Sequence, residues 1–264
     1  MRFLDRPSPN FNARTPGPIT LLVLHYTGMQ SAKDALARLC DREAKVSAHY
    51  LIDEAGKICR LVAEEHRAWH AGVSFWAGEK DVNSRSIGIE LVNPGHDLGY
   101  HDFPAVQMRA LADLAAEILA RHPIPAHNVV GHSDVAPGRK RDPGERFDWA
   151  WLAGRGIGVW PVLPPRLTPP HQGEGIPSAF SARSPSPFQG GDRGGGQDIL
   201  QLQQDLARFG YDIPQTGIYG IQTRAVVTAF QRHFQPDKVD GVADAQTAAI
   251  LATLLAHIGR GEKA

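Results

Sequence analysis

The period of the apolar positions changes several times along this chain, and each change marks an element. Residues 19 to 25, ITLLVLH, form an apolar run with β-branched side chains behind Pro16, Gly17 and Pro18, which predicts a buried strand. Ser31 stands where a helix cap belongs, ahead of Ala32, Ala35, Leu36 and Leu39 at helical spacing. His49 to Asp53 and Lys57 to Val62 predict two strands joined at Glu54-Ala55-Gly56, a hairpin signal. SIGIELV, 86 to 92, is another strand, closed by Asn93-Pro94-Gly95. Met108, Leu111, Ala115, Ile118 and Leu119 share one face of a helix over 104 to 122. Ala126 to Gly131 predicts a short strand leading to His132. Interleaved strands and helices with one hairpin give an α/β domain with a mixed central β-sheet flanked by helices.

From Pro161 the pattern dissolves into Pro, Gly and Ser. Such a stretch cannot bury enough apolar surface to offset its chain entropy, so residues 161 to 196 are expected to be a mobile linker. Helical patterning returns with Ile199, Leu202, Leu206 and Phe209, then Ala225, Val226, Ala229, Phe230 and Phe234, then Thr247 to Ile258. TGIYGIQTRAVVTAF at 216 echoes DGVADAQTAAILATL at 240; in each, a Gly that suits a positive-φ turn precedes by six positions a Thr expected to cap a helix. The division is therefore 1–160, 161–196 and a three-helix unit at 197–264. The linker is expected to tether the three-helix unit freely to the first domain.

Composition adds mostly exclusions. Twenty-eight basic and 28 acidic side chains balance, which argues against a nucleic-acid partner. Two cysteines, Cys40 and Cys59, are too few for a zinc finger and are expected to be buried thiols. No stretch is long and apolar enough to span a membrane, and the first residues lack an apolar core of signal-peptide length. A cytoplasmic protein is the expectation, with a periplasmic or wall-associated one as the alternative.

The chemistry concentrates in GHSDVAPGRKRDPG, 131 to 144. His132 follows a strand, and Asp142 arrives ten residues later through a loop constrained by Pro137, Gly138, Pro143 and Gly144. An imidazole and a carboxylate are two thirds of a catalytic zinc site, which keeps a fourth position open for water. His25, at the end of LLVLH, is the third candidate. Glu90 interrupts an apolar strand, a costly place for a charge unless it faces a cleft, where burial would tune it as a general base. Lys140 sits two residues before Asp142 and could support an oxyanion.

HYT at 25, SAHYLID at 47, AWHAG at 68, NSRSIGIELVN at 83 and GHSDVAPGRKRDPG together resemble the N-acetylmuramoyl-L-alanine amidase family, over about residues 5 to 160. The resemblance is to the zinc group sharing its fold with peptidoglycan recognition proteins and phage T7-type lysozymes. The tail resembles a three-helix peptidoglycan-binding domain, with Gly220 where an Asp is common, which implies that it holds polymer while the tethered first domain samples nearby bonds and that removing it spares small soluble substrates. The resemblance implies one Zn2+ on His25, His132 and Asp142, Glu90 as acid/base and Lys140 as oxyanion support. The implied reaction is hydrolysis of the amide joining the lactyl group of N-acetylmuramic acid to L-alanine, in peptidoglycan or muropeptides; a monomer is expected. Asp142 stands where the phage lysozymes and animal recognition proteins carry Cys, which points to the bacterial branch. Tyr50, Trp69, His70 and Asn83 fall in the matching motifs and are candidate substrate-binding residues. The rivals are a non-catalytic recognition protein on the same fold and a zinc peptidase; HExxH is absent.

Overall fold

The structure is a computed structural model that describes residues 2–162 and 195–261, so all but the ends of the expected linker lie outside the described residues. In chain order the elements are β1 (Phe3–Asp5), β2 (Phe11–Ala13), β3 (Leu21–Tyr26), α1 (Ala32–Leu39), β4 (Tyr50–Ile52), β5 (Ile58–Arg60) and β6 (His66–Ala68). There follow α2 (Val82–Arg85), β7 (Ser86–Leu91), α3 (Gly95–Leu98), α4 (Ala105–Arg121), β8 (Val129–Gly131), α5 (His132–Val135) and α6 (Trp149–Ala153). The C-terminal unit is α7 (Gly195–Phe209), α8 (Ile221–Phe234) and α9 (Ala245–Gly261).

Six strands form a mixed sheet in the order β1-β5-β4-β7-β3-β8, with β4 and β5 antiparallel as the hairpin signal predicts and the other pairs parallel. β2 and β6 form a separate antiparallel pair. Ser31 caps α1 by accepting from the Asp34 amide. Residues 126 to 128 coil into a 3-10 turn, so the strand expected from Ala126 begins at Val129.

The two faces of the sheet do different things, and strand parity decides which. Leu22, Leu24, Ile87, Ile89 and Leu91 point to the face covered by α4, where Met108, Leu111, Leu114 and Ile118 are buried. Each such side chain contributes roughly 1.5–3 kcal/mol on leaving water. The opposite parity, Leu21, Val23 and His25 on β3 with Ser86, Gly88 and Glu90 on β7, faces the site. The parallel register sets His25 directly beside Glu90.

The C-terminal unit packs on that second face. Leu21, Val23, Trp76, Val130 and Val135 share one core with Leu206, Phe209, Tyr211, Val226 and Phe230. Trp76 is 1% exposed and meets the rings of Phe209 and Tyr211 edge-on, while the Ala77 amide donates to the Gly210 carbonyl at 2.8 Å. This corrects the expectation of a freely tethered tail: the three helices are docked on the sheet domain.

Gly217 and Gly241 have φ of 71° and 69°, as the turns require. The Thr residues, however, do not cap. Thr223 and Thr247 lie inside α8 and α9, and the helix starts are Gly220 and, for α9, the Asp244 side chain, which accepts from the Thr247 amide at 2.8 Å. Two buried glutamines explain the echo. Gln203 Oε1 accepts from the Thr216 and Gly217 amides and its Nε2 reaches Thr223; Gln231 Oε1 accepts from the Asp240 and Gly241 amides and its Nε2 reaches Thr247. Each Thr is thus the far anchor of a glutamine staple. Cys59 is buried, but Cys40 is only half-buried, with its thiol toward the Arg6 carbonyl.

Candidate active site

β3 delivers His25 at its last buried position, and β8 ends on Gly131 so that His132 opens α5 beside it. The loop after α5 returns to bring Asp142 back, held where its carbonyl accepts from the Ser133 amide at 2.9 Å. Gly131 must lack a side chain here, because a Cβ would lie 2.8 Å from Pro143 Cδ. The result is a tight triangle: His25 Nδ1 to His132 Nδ1 2.9 Å, and each of these to Asp142 Oδ2 3.0 Å. All three residues are buried.

Protons cannot explain that triangle, because the outer contacts fix both tautomers. The Ser86 hydroxyl donates to the Val82 carbonyl at 2.6 Å, so His70 Nε2–H donates to Ser86 Oγ and His70 Nδ1 is an acceptor. His25 Nε2–H then donates to His70 Nδ1 at 3.0 Å, leaving a lone pair on His25 Nδ1. His132 Nε2–H donates to the Ala71 carbonyl at 3.0 Å, leaving a lone pair on His132 Nδ1. Two lone pairs and a carboxylate oxygen therefore face one another, which is repulsive without a cation between them. Nitrogen and oxygen ligands about 2.0–2.1 Å from a tetrahedral zinc would stand roughly 3.3 Å apart, close to the observed edges. The donor set fits a small divalent ion, and among the described residues it is the one group of three such ligands that converges.

The protonation energetics agree. Burial, then His132, pushes the His25 imidazole down to about 4, so it stays neutral. Burial would raise Asp142, but the adjacent His132 and His25 rings outweigh it and hold the carboxyl below the usual range, ionised as a cation site requires. Burial, and then the Asp142 charge, drives Glu90 well above the ordinary carboxylate value. Glu90 Oε2 is sealed from water and has no hydrogen-bond partner among the described residues. The Lys140 charge acts on both Glu90 and His25, which places its ammonium over the same floor. A cavity of about 360 Å³ opens above, walled by Tyr26, Trp69, Glu90, His132, Lys140 and Asp142.

The structure brings together His25, His132, Asp142, Glu90 and Lys140, and it divides the four expected groove residues. Trp69 is a wall, its indole N–H donating to Asn12. His70 also reaches the pocket, but both its nitrogens are committed to His25 and Ser86, so it orients His25 rather than gripping substrate. Tyr50 is corrected: it lies in the core under α4, its hydroxyl donating to Glu64 at 2.6 Å. Asn83 is corrected too: its Oδ1 accepts from the His70 and Ala71 amides and pins the segment under both histidines. Arg139 donates to the carbonyls of Ala71 and Val73, and Arg141 pairs with Asp97. Ser86 and Gly88 went unnoticed, although their alternation with Glu90 marks one strand face. Gly88 makes room for His70, whose Cγ would stand 2.5 Å from a Cβ there.

Comparison with known proteins gives a consistent picture. The family N-acetylmuramoyl-L-alanine amidase matches residues 15–145, and a putative peptidoglycan binding domain matches residues 195–251. The N-acetylmuramoyl-L-alanine amidase AmiD of Escherichia coli K12 is 38% identical over 255 residues, 92% of this chain and 84% of that protein. The 1,6-anhydro-N-acetylmuramyl-L-alanine amidase AmpD of the same organism is 40% identical over 166 residues, 54% of this chain and 86% of its own. Among solved structures, E. coli AmiD in complex with anhydro-N-acetylmuramic acid-L-Ala-D-gamma-Glu-L-Lys matches with a TM-score of 0.73 at 36% identity, covering 94% of this chain and 93% of that one. AmpDh3 of Pseudomonas aeruginosa with anhydromuramic pentapeptide matches with a TM-score of 0.72 at 32% identity, covering 95% and 97%. With its catalytic fold, its potential metal triad and these relatives, the chain belongs to the N-acetylmuramoyl-L-alanine amidase family and is a peptidoglycan amide hydrolase.

Proposed function

We propose that this amidase works with one zinc ion held by His25 Nδ1, His132 Nδ1 and Asp142 Oδ2, with Glu90 and Lys140 as the catalytic residues. The family depends on zinc in general. The observation that carries the reading is the triangle of three acceptor atoms 2.9–3.0 Å apart at the floor of an open cavity. Zinc, when bound there, supplies a Lewis acid that brings the pKa of water to ~7 and polarises the scissile carbonyl.

The rest is done by side chains of this chain. Glu90, whose carboxyl lines the cavity, takes a proton from the attacking water. As the C–N bond breaks, Glu90 returns that proton to the departing L-alanine nitrogen, so one water is consumed, and the lactyl carboxylic acid and the amine so formed end as carboxylate and ammonium once the acid's proton passes to the amine. Its raised proton affinity suits both halves of that exchange. Lys140 Nζ meets the oxygen on which negative charge develops. His70 and the Ala71 carbonyl keep the two imidazoles in the tautomers the site needs.

The proposed division of labour has residues 1–160 cutting and residues 197–264 engaging wall polymer, as a monomer. Acceptance of 1,6-anhydro-muropeptides is proposed on the strength of the ligands named in the AmiD and AmpDh3 structures. The test is digestion of purified sacculi and of an anhydro-muropeptide by chelator-treated protein, before and after adding zinc, with products analysed by mass. Zinc-restored release of stem peptides with free L-alanine amines is the expected result. Cuts inside the stem peptide, or full activity without metal, would overturn the assignment.

A further inference from the structure

A third polar node lies one turn from the site, and the reaction does not use it. Asp134 is 1% exposed at the far end of α5. It accepts three hydrogen bonds. One comes from the Gly131 amide, on Oδ2 at 2.7 Å, immediately before the ligand His132. The other two come from the C-terminal unit: the Tyr211 hydroxyl on Oδ1 at 2.7 Å, and His233 Nδ1–H on Oδ2 at 2.7 Å. His233 is itself clamped between Trp149 and Phe234, with ring centroids 3.7 Å and 3.8 Å away.

The connection onward to the ligands is short. The Gly131 amide bond sets where His132 leaves β8. The next amide, Ser133, donates to the Asp142 carbonyl. Two of the three ligand residues therefore hang on the four-residue helix that Asp134 anchors, and two of the three bonds to Asp134 come from the C-terminal unit, from Tyr211 just after α7 and from His233 on α8. A buried carboxylate deprived of those donors is left underpaired and would pull away, which frees the start of α5.

The geometry points to Tyr211 and His233 as positioning residues of the metal centre: acting through Asp134, the C-terminal unit holds His132 and Asp142 in ligating geometry. This rests on the ligand reading above, and it gives that unit a task inside the hydrolase besides any grip on polymer. It also reverses the expectation that the tail is dispensable for small soluble substrates.

The test uses the full chain with Tyr211→Phe, His233→Phe and both together, changes that keep the packed rings and delete only the donors. Tyr219→Phe is the control. It removes a hydroxyl from the same unit, one that bonds the Gly241 carbonyl and the Ala243 amide and does not touch Asp134. His132→Ala is measured alongside. Zinc affinity is read by competition with a chromophoric chelator, and folding by thermal unfolding of the metal-free proteins. Outer-shell contacts of this kind are worth about 10–100-fold in metal affinity. The double variant is expected to lose zinc affinity by about tenfold or more, and Tyr211→Phe, which deletes one bond, by less. Tyr219→Phe is expected to keep wild-type affinity even where its Tm falls. Wild-type affinity in a folded double variant overturns the proposal, as does an equal loss in Tyr219→Phe. Wild-type affinity in His132→Ala would instead remove the ligand reading, so the two failures are told apart.

Discussion

Replacing Glu90 by Gln separates what the carboxyl does for turnover from what it costs the fold. The amide is nearly the same size, so the strand pair His25–Glu90 and the three ligand atoms, none of which comes from Glu90, keep their places. Zinc content should therefore be unchanged. Losing the proton acceptor removes general acid–base catalysis, worth about 10²–10⁴ in rate, or roughly 3–5 kcal/mol of barrier. The fold should respond with the opposite sign. Glu90 is driven far above its ordinary pKa by burial and by Asp142, so near neutral pH, where the unfolded chain ionises it freely, the folded state is penalised. An amide carries no such charge, and the metal-free variant should gain on the order of 1 kcal/mol, the scale of an unsatisfied buried polar group. Muropeptide turnover, zinc stoichiometry and chemical unfolding at pH 7 measure the three quantities. Turnover within threefold of wild type would remove Glu90 from the mechanism. Lost turnover with lowered stability would show that the side chain supports structure rather than chemistry.

Three further outcomes follow. Lys140→Met should lower kcat roughly 10²–10³-fold with zinc bound and KM little changed, as for loss of an oxyanion donor; a KM effect alone would assign Lys140 to binding. His49 is buried and neutral, pushed down to about 3 by burial and then by Arg14, against 6.5 when unfolded. Between these limits the unfolded chain binds a proton that the folded one refuses, so stability is complete above pH 6.5 and falls by roughly 1.4 kcal/mol per unit as pH drops toward 3. Glu64, held at about 2, adds a loss of the same sign below its ordinary 4.5. His49→Gln should flatten the denaturant midpoint against pH between 6 and 5, and an unchanged slope would exonerate His49. Trp76→Ala should cost about 3–5 kcal/mol and lower a single calorimetric transition for the whole chain; two separated transitions would contradict the shared core.

The elements legible before folding were those long enough to show a period. ITLLVLH, SIGIELV and the stretch from 104 to 122 keep an apolar run or a steady period over seven residues or more, and the structure places β3, β7 and α4 there. β1, β2 and β6 have three residues each, too few for any alternation, and exist because a partner strand satisfies them. At the site, the convergence of His25, His132 and Asp142 was readable because a strand end and a Pro/Gly-constrained loop both restrict where a side chain can go. Tyr50 and Asn83 were not readable, because a motif identifies a neighbourhood and leaves open which way a side chain turns. One faces α4 and the other binds backbone amides. The docking of the C-terminal unit was hidden for another reason. Asp134 and Tyr211 are 77 positions apart, and each is ordinary where it stands.

Gly88 has a consequence for anyone rebuilding this centre. Its φ is unremarkable; what it provides is a missing methyl in the middle of a sheet, and into that dent slides an imidazole whose other neighbours are His25 and His49, with ring centroids 5.1 Å and 5.6 Å away. Even alanine at 88 would lift His70 and leave His25 free to swap which nitrogen bears its hydrogen. A transplant of the three ligands into a new scaffold would thus inherit the right atoms and lose the right lone pair unless the hollow beneath them travelled too.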